Sequence, residues 1–188
     1  MRPSLTFFCE LPSPEISSFF ANGKVISDLK QLDANLSLGL LDLSPERAAV
    51  VKKLNRAGIP VTAWILLPKD QGYWTSLETV TETTERFAAF QAWQAEHKLE
   101  FAAIGLDIEP PLKMVTALST NPLGQFKILA TRFLSHWHKQ PTLEMTALVR
   151  SIQDNGYAVE TYQFPTAVDE RFARSTVIAK TLGLAAID

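Results

Sequence analysis

The run Ile59-Pro60-Val61-Thr62-Ala63-Trp64-Ile65-Leu66-Leu67 limits what this chain can fold into more than any other stretch. It is nearly continuous in apolar residues and leaves neither side of a strand for water. Such a strand fits a parallel sheet covered on both faces rather than a two-faced antiparallel one. The rest of the chain alternates strand-like and helix-like segments in the same spirit. Leu5 to Leu11 reads as a first strand, with Thr6, Phe8 and Glu10 on one face and Leu5, Phe7 and Cys9 on the other. Pro12-Ser13-Pro14-Glu15 turns the chain. Ile16, Phe19 and Phe20 then have helical spacing, Asn22-Gly23 breaks it, and Val25 to Leu32 is a second short helix, although residues 15–34 also leave room for a strand.

Leu36 to Leu41 is the second strand, ending at Asp42, which reads as the start of the turn into the next helix. Ser44-Pro45-Glu46 is a helix start, with a serine cap, proline in the first turn and an acid behind it; Gly58 closes that helix. After the third strand comes Pro68-Lys69-Asp70-Gln71-Gly72-Tyr73-Trp74, a loop with two aromatics expected to be exposed. A helix from about Leu77 to His97 puts Val80, Phe87, Phe90 and Trp93 on its apolar side. Phe101 to Glu109 is the fourth strand. Beyond it the pattern predicts helix over most of 112–139, broken at Asn121-Pro122-Leu123-Gly124, and helix again from Thr142 to Asp154, stopped by Asn155-Gly156. Tyr157 to Phe164 is a fifth strand, 168–182 a helix, and Leu184 to Asp188 the start of a sixth strand.

Strand followed by helix, repeated without a linker, implies an α/β protein with a parallel sheet and helices outside it. No Gly-x-Gly-x-x-Gly turn follows any strand, which disfavours a dinucleotide fold and leaves no cofactor expected. Polar groups gather instead at the carboxyl ends of strands: Glu10, Asp42, Asp107, Glu109, Glu160 and Tyr162. Barrel enzymes place their chemistry there. The expected fold is therefore TIM-barrel-like and incomplete, a single domain over 1–188 with five to six β/α units, truncated at its C-terminus or else open as a sheet. A net charge of −2 with the signs interspersed gives no footprint for nucleic acid. One cysteine, Cys9, excludes an intrachain disulfide and reads as a small buried hydrophobe. The first apolar run is too short for a signal peptide or membrane span, so the expectation is a cytoplasmic protein without membrane contact.

The fourth strand carries the sharpest chemical signal. In Phe101-Ala102-Ala103-Ile104-Gly105-Leu106-Asp107-Ile108-Glu109-Pro110-Pro111, alternation puts Gly105, Asp107 and Glu109 on one face and Ile104, Leu106 and Ile108 on the other. The two prolines end the strand near Glu109. Burial raises a carboxyl pKa and a second carboxylate spreads the two values, so one acid stays protonated beside an ionised one. That is the arrangement used for acid catalysis on a glycosidic bond. Trp64, Tyr73 and Trp74 suit a sugar partner, because an aromatic face stacks on the apolar face of a pyranose, with Glu10, Glu160 and Tyr162 within reach as further substrate-binding groups.

Gly105-Leu106-Asp107-Ile108-Glu109 resembles the end of the fourth-strand motif of family 18 glycoside hydrolases, Asp-Gly-x-Asp-x-Asp-x-Glu, with Gly105 and Ala102 where that family has its earlier acids. The region from Gly58-Ile59-Pro60-Val61 through Trp64 to Gly72-Tyr73-Trp74 is similar to the third-strand region of sugar-cleaving barrels. The resemblance implies Glu109 as general acid, Asp107 as its partner, and a carbohydrate or glycoconjugate as substrate. Two alternatives stay open: a non-catalytic or incomplete sugar-binding barrel, and a divalent cation held by Glu10, Asp107, Glu109 and Glu160. The second is disfavoured by the expected lack of Lys, Arg or His at strand ends. His97, His136 and His138 fall on predicted helices and make no metal pair.

Overall fold

The computed structural model describes residues 5–109 and 139–163. Five strands form one parallel sheet in the order β1-β2-β3-β4-β5, made of β1 (Leu5–Cys9), β2 (Ala34–Leu40), β3 (Val61–Ile65), β4 (Ala103–Ile108) and β5 (Ala158–Gln163). Helices α1 (Ser13–Phe19), α2 (Lys24–Gln31), α3 (Pro45–Arg56), α4 (Val80–His97) and α5 (Lys139–Asp154) alternate with them. The chain is thus an α/β protein of parallel β/α type. Between β1 and β2 lie two helices and no further strand. The helices expected over 112–139 and 168–182, the strand from Leu184, and His136 and His138 lie outside the described residues.

Burial follows strand order. Every residue of β3 and β4 is buried, as the apolar runs require, whereas Leu5, Phe7 and Phe8 of β1, first in the order, are exposed. The chain divides into two compact units assembled from separate stretches. One comprises 1–65, 86–105 and 157–160; the other comprises 66–85, 106–156 and 161–188.

In the first unit, the rows Phe7–Leu36–Val61 and Cys9–Leu38–Ala63 define an aliphatic face, and the row Phe8–Ser37–Thr62 a smaller, more polar one. Helix α3 packs on this unit with Val50, Val51 and Leu54 buried. Its start is the expected one: the Ser44 hydroxyl accepts the Arg47 N–H at 3.2 Å and Pro45 occupies the first helical position. Its end is a left-handed Gly58, φ 71°, with Gly58 N–H to Asn55 O and Ile59 N–H to Leu54 O. Those two bonds satisfy carbonyls that would otherwise be orphaned at the helix terminus. Asn55 then donates to Glu100 O at 2.8 Å and accepts from Glu100 N at 3.1 Å, fixing the approach to β4. Phe87, Phe90 and Trp93 of α4 cluster with Phe101 and Tyr157, and the Tyr157 hydroxyl meets Gln94. Cys9 is buried, and burial pushes its thiol pKa up.

Candidate active site

Two strand ends carry acids in contrasting surroundings. At the end of β2, Asp42 receives the Ser13 hydroxyl at 2.8 Å, the Ser44 N–H at 3.1 Å, and Arg47 through Nε at 3.2 Å and NH2 at 3.1 Å. Arg47 is fully buried and also donates to Gly39 O at 2.8 Å and Leu11 O at 3.0 Å. Its planar fork therefore joins the segment after β1, the last turn of β2 and the approach to α3. Burial raises the Asp42 pKa, but the bonds from Arg47, Ser44 and Ser13 outweigh it and hold the carboxyl well below the usual carboxylate range. Arg86 adds a second cation nearby, donating to Leu40 O at 2.9 Å. Strand ends in this molecule do carry arginine, contrary to the expectation from sequence. Arg47 escapes a sequence reading because arginine is rarely buried; its one local signal is its place five residues after a strand-end aspartate and three after a helix cap.

The end of β4 belongs to the second unit and is built differently. Asp107 is buried and Glu109, just past the strand, is half-buried. Among the described residues no cation or side-chain donor reaches the Glu109 carboxyl, and burial pushes its pKa up. Glu109 is thereby biased toward its protonated form, the form a proton donor needs.

The segment after β3 is tied to this end. Thr75 N–H donates to Asp107 O at 2.9 Å, and Glu109 N–H donates to Thr75 O at 3.1 Å, a parallel bridge that pairs Thr75 with Ile108. Pairing in that register brings Trp74 level with Asp107 and Ser76 level with Glu109, at the usual strand spacing of about 4.8 Å. Trp74 is half-buried. Tyr73, expected to be exposed, is buried: its ring packs edge-on against Trp74 at 5.6 Å, beneath the Lys69 ammonium at 5.8 Å. The Thr75 hydroxyl, on the Ile108 side of the bridge, is buried without a hydrogen-bond partner among the described residues.

Of the remaining predicted residues, Trp64 is buried on β3, level with Gly39, and Phe8 packs edge-on against it at 5.7 Å. Glu160 is exposed on β5 and accepts a 3.4 Å hydrogen bond from Thr62, which places it with Trp64 and Thr62 in the first unit. Glu10 is exposed just past β1 in the same unit, and Tyr162 is half-buried on β5 in the second. Asp107, Glu109, Tyr73 and Trp74 are thus the members of the predicted set that one unit brings together through described contacts. Among the described residues no three His, Cys, Asp or Glu side chains are grouped so as to hold a metal ion, and no helix is long and apolar enough to cross a membrane. Comparison with protein-family models, curated proteins and solved structures gives no match to this chain.

Proposed function

We propose that this chain is a glycoside hydrolase-like protein on a barrel-type β/α fold, cleaving a glycosidic bond with Glu109 as general acid and Asp107 as its partner. The reading is carried by one juxtaposition: a strand-end glutamate pushed toward its protonated form by burial, bridged through the backbone to the segment that bears a half-buried tryptophan. A protonated Glu109 delivers its proton to the glycosidic oxygen as the bond to the anomeric carbon breaks; water forms the new bond to that carbon and its proton returns to the carboxylate. Asp107, buried beside it on the strand, is the group to orient the sugar or stabilise the positive charge that develops on the ring. Trp74 offers the apolar surface against which a pyranose ring is held.

The test is hydrolysis of a panel of fluorogenic glycosides by the wild-type chain and by Glu109→Gln, a near-isosteric change that cannot supply a proton. The expected outcome is turnover of at least one glycoside and a loss of about 10²-fold or more in rate in the variant. Sugar binding without turnover in both folded proteins would replace the enzyme with a non-catalytic sugar-binding barrel. Equal turnover in both would remove Glu109 from the chemistry.

A further inference from the structure

The turn between β3 and α4 is more constrained than a connecting loop needs to be. Gly72 has φ 110° and Tyr73, which has a side chain to accommodate, has φ 68°. A non-glycine residue in the left-handed region costs on the order of 1 kcal/mol and persists only where its surroundings impose it. Three sets of contacts impose it here. Leu67 N–H donates to Tyr73 O at 2.9 Å and closes the turn at its base. The Thr75 bridge fixes its far side to β4. Between them stands Thr79, whose hydroxyl donates to Trp74 O at 2.9 Å and accepts Ser76 N–H at 2.9 Å, while its carbonyl accepts Thr83 N–H at 2.9 Å in the first turn of α4. A Cβ on Gly72 would lie 2.5 Å from the Thr79 Cγ2, so glycine is demanded by the threonine as well as by its own φ.

All of these constraints converge on the backbone of one residue, Trp74. Its carbonyl is held by Thr79, its N–H donates to Gly72 O at 2.9 Å, and the next residue is bonded to β4 between the two acids. We propose that the Gly72–Tyr73 turn and Thr79 form a positioning device that presents Trp74 as the stacking platform for the sugar ring held next to Glu109. This rests on the glycoside reading above and refines its substrate class to pyranosides that present a face of C–H groups free of axial hydroxyls, because such a face covers an indole without burying hydroxyls. Thr79 is a positioning residue and Trp74 a binding one; neither takes part in proton transfer.

Steady-state kinetics on the best glycoside of the panel test this with Trp74→Ala, Trp74→Phe, Thr79→Val and Thr79→Ser, alongside thermal midpoints. Trp74→Ala is expected to raise KM about tenfold with a smaller change in kcat, the signature of lost uniform binding, and Trp74→Phe to recover part of it. Thr79→Val, which keeps the shape and loses the hydrogen bonds of the hydroxyl, is expected to raise KM roughly threefold or more, and Thr79→Ser, which keeps the hydroxyl, to restore it. Thr79→Val that lowers the midpoint but leaves KM unchanged, or Trp74→Ala with unchanged KM while hydrolysis still depends on Glu109, would overturn the positioning role and leave the glycoside reading standing. Absence of both turnover and oligosaccharide binding in the folded wild-type chain would remove the glycoside reading and this role with it.

Discussion

Asp42 and Glu109 each stand just beyond the carboxyl end of a strand, yet they are opposite kinds of acid. Asp42 is surrounded by donors, two of them from a buried guanidinium, and is held ionised far into the acid range. Glu109 has no such partner among the described residues, and burial alone acts on it, in the other direction. Both are partly desolvated; what differs is whether the protein supplies a cation to the charged form. A carboxylate with its donors satisfied holds backbone segments together. One left without them is shifted toward its neutral form.

The comparison is broken most severely at Arg47. Arg47→Ala leaves the Asp42 carboxylate and the carbonyls of Gly39 and Leu11 without their donor, and is expected to cost about 3 kcal/mol, read as a fall in the urea midpoint. Arg47→Lys recovers little of it, because an ammonium cannot serve four acceptor atoms with a planar fork. In either variant the Asp42 pKa rises, since burial then acts with less opposition, and the carboxyl comes to resemble Glu109.

On the Glu109 side the largest structural effect is expected from Gly72→Ala, about 2 kcal/mol from the left-handed backbone and the contact with Thr79 together. Thr79→Ser removes the offending methyl and keeps the hydroxyl. The double variant Gly72→Ala with Thr79→Ser is therefore expected to be less destabilised than the sum of the two singles. Strict additivity in the unfolding midpoints would show that the methyl contact carries none of the cost.

Smaller effects separate the two acids by the sign of their pH dependence. The Asp42 pKa is depressed on folding, so its contribution is fully present above the unfolded value of about 3.9 and is lost as the pH falls toward its folded value. Asp42→Asn is accordingly expected to flatten the loss of stability between neutral pH and acid. The Glu109 pKa is raised on folding, so its penalty is absent below the unfolded value of about 4.3 and grows as the pH rises through its folded value. Glu109→Gln is expected to change stability at neutral pH by roughly 0.5 kcal/mol or less, in the stabilising direction, and to remove that slope. Thermal midpoints of the two variants from pH 3 to 7 check both, and slopes of the same sign in the two would erase the distinction drawn between these acids.

Much of the frame was legible in the residues. The apolar run 59–67 announced a strand buried on both faces, and β3 is buried at every position, as is β4. Ser44-Pro45-Glu46 and Gly58 bounded α3 because caps and left-handed glycines act within a single turn, where sequence neighbours are also spatial ones. Asp107 and Glu109 were nameable because they stand two residues apart at one strand end. Tyr73 was misjudged as exposed: turn formers around it suggested solvent, while its burial depends on the left-handed turn and on Trp74 and Lys69 packing against it.

By itself, then, the sequence determined the order of the described strands and helices, the doubly buried third strand and the position of an acid pair at the end of the fourth, since each follows from periodicity and signals spanning a few residues. The tertiary structure decided the character of the acids. Whether a carboxyl is held ionised or pushed toward its neutral form depends on desolvation and on partners that the chain brings from elsewhere: Ser13, 29 residues before Asp42, or Thr75, whose bridge to Ile108 sets Trp74 level with Asp107. Arginine at position 47 is ordinary as a letter in a helix. Only the fold, by placing Leu11, Gly39 and Asp42 around it, makes its burial possible and its charge necessary.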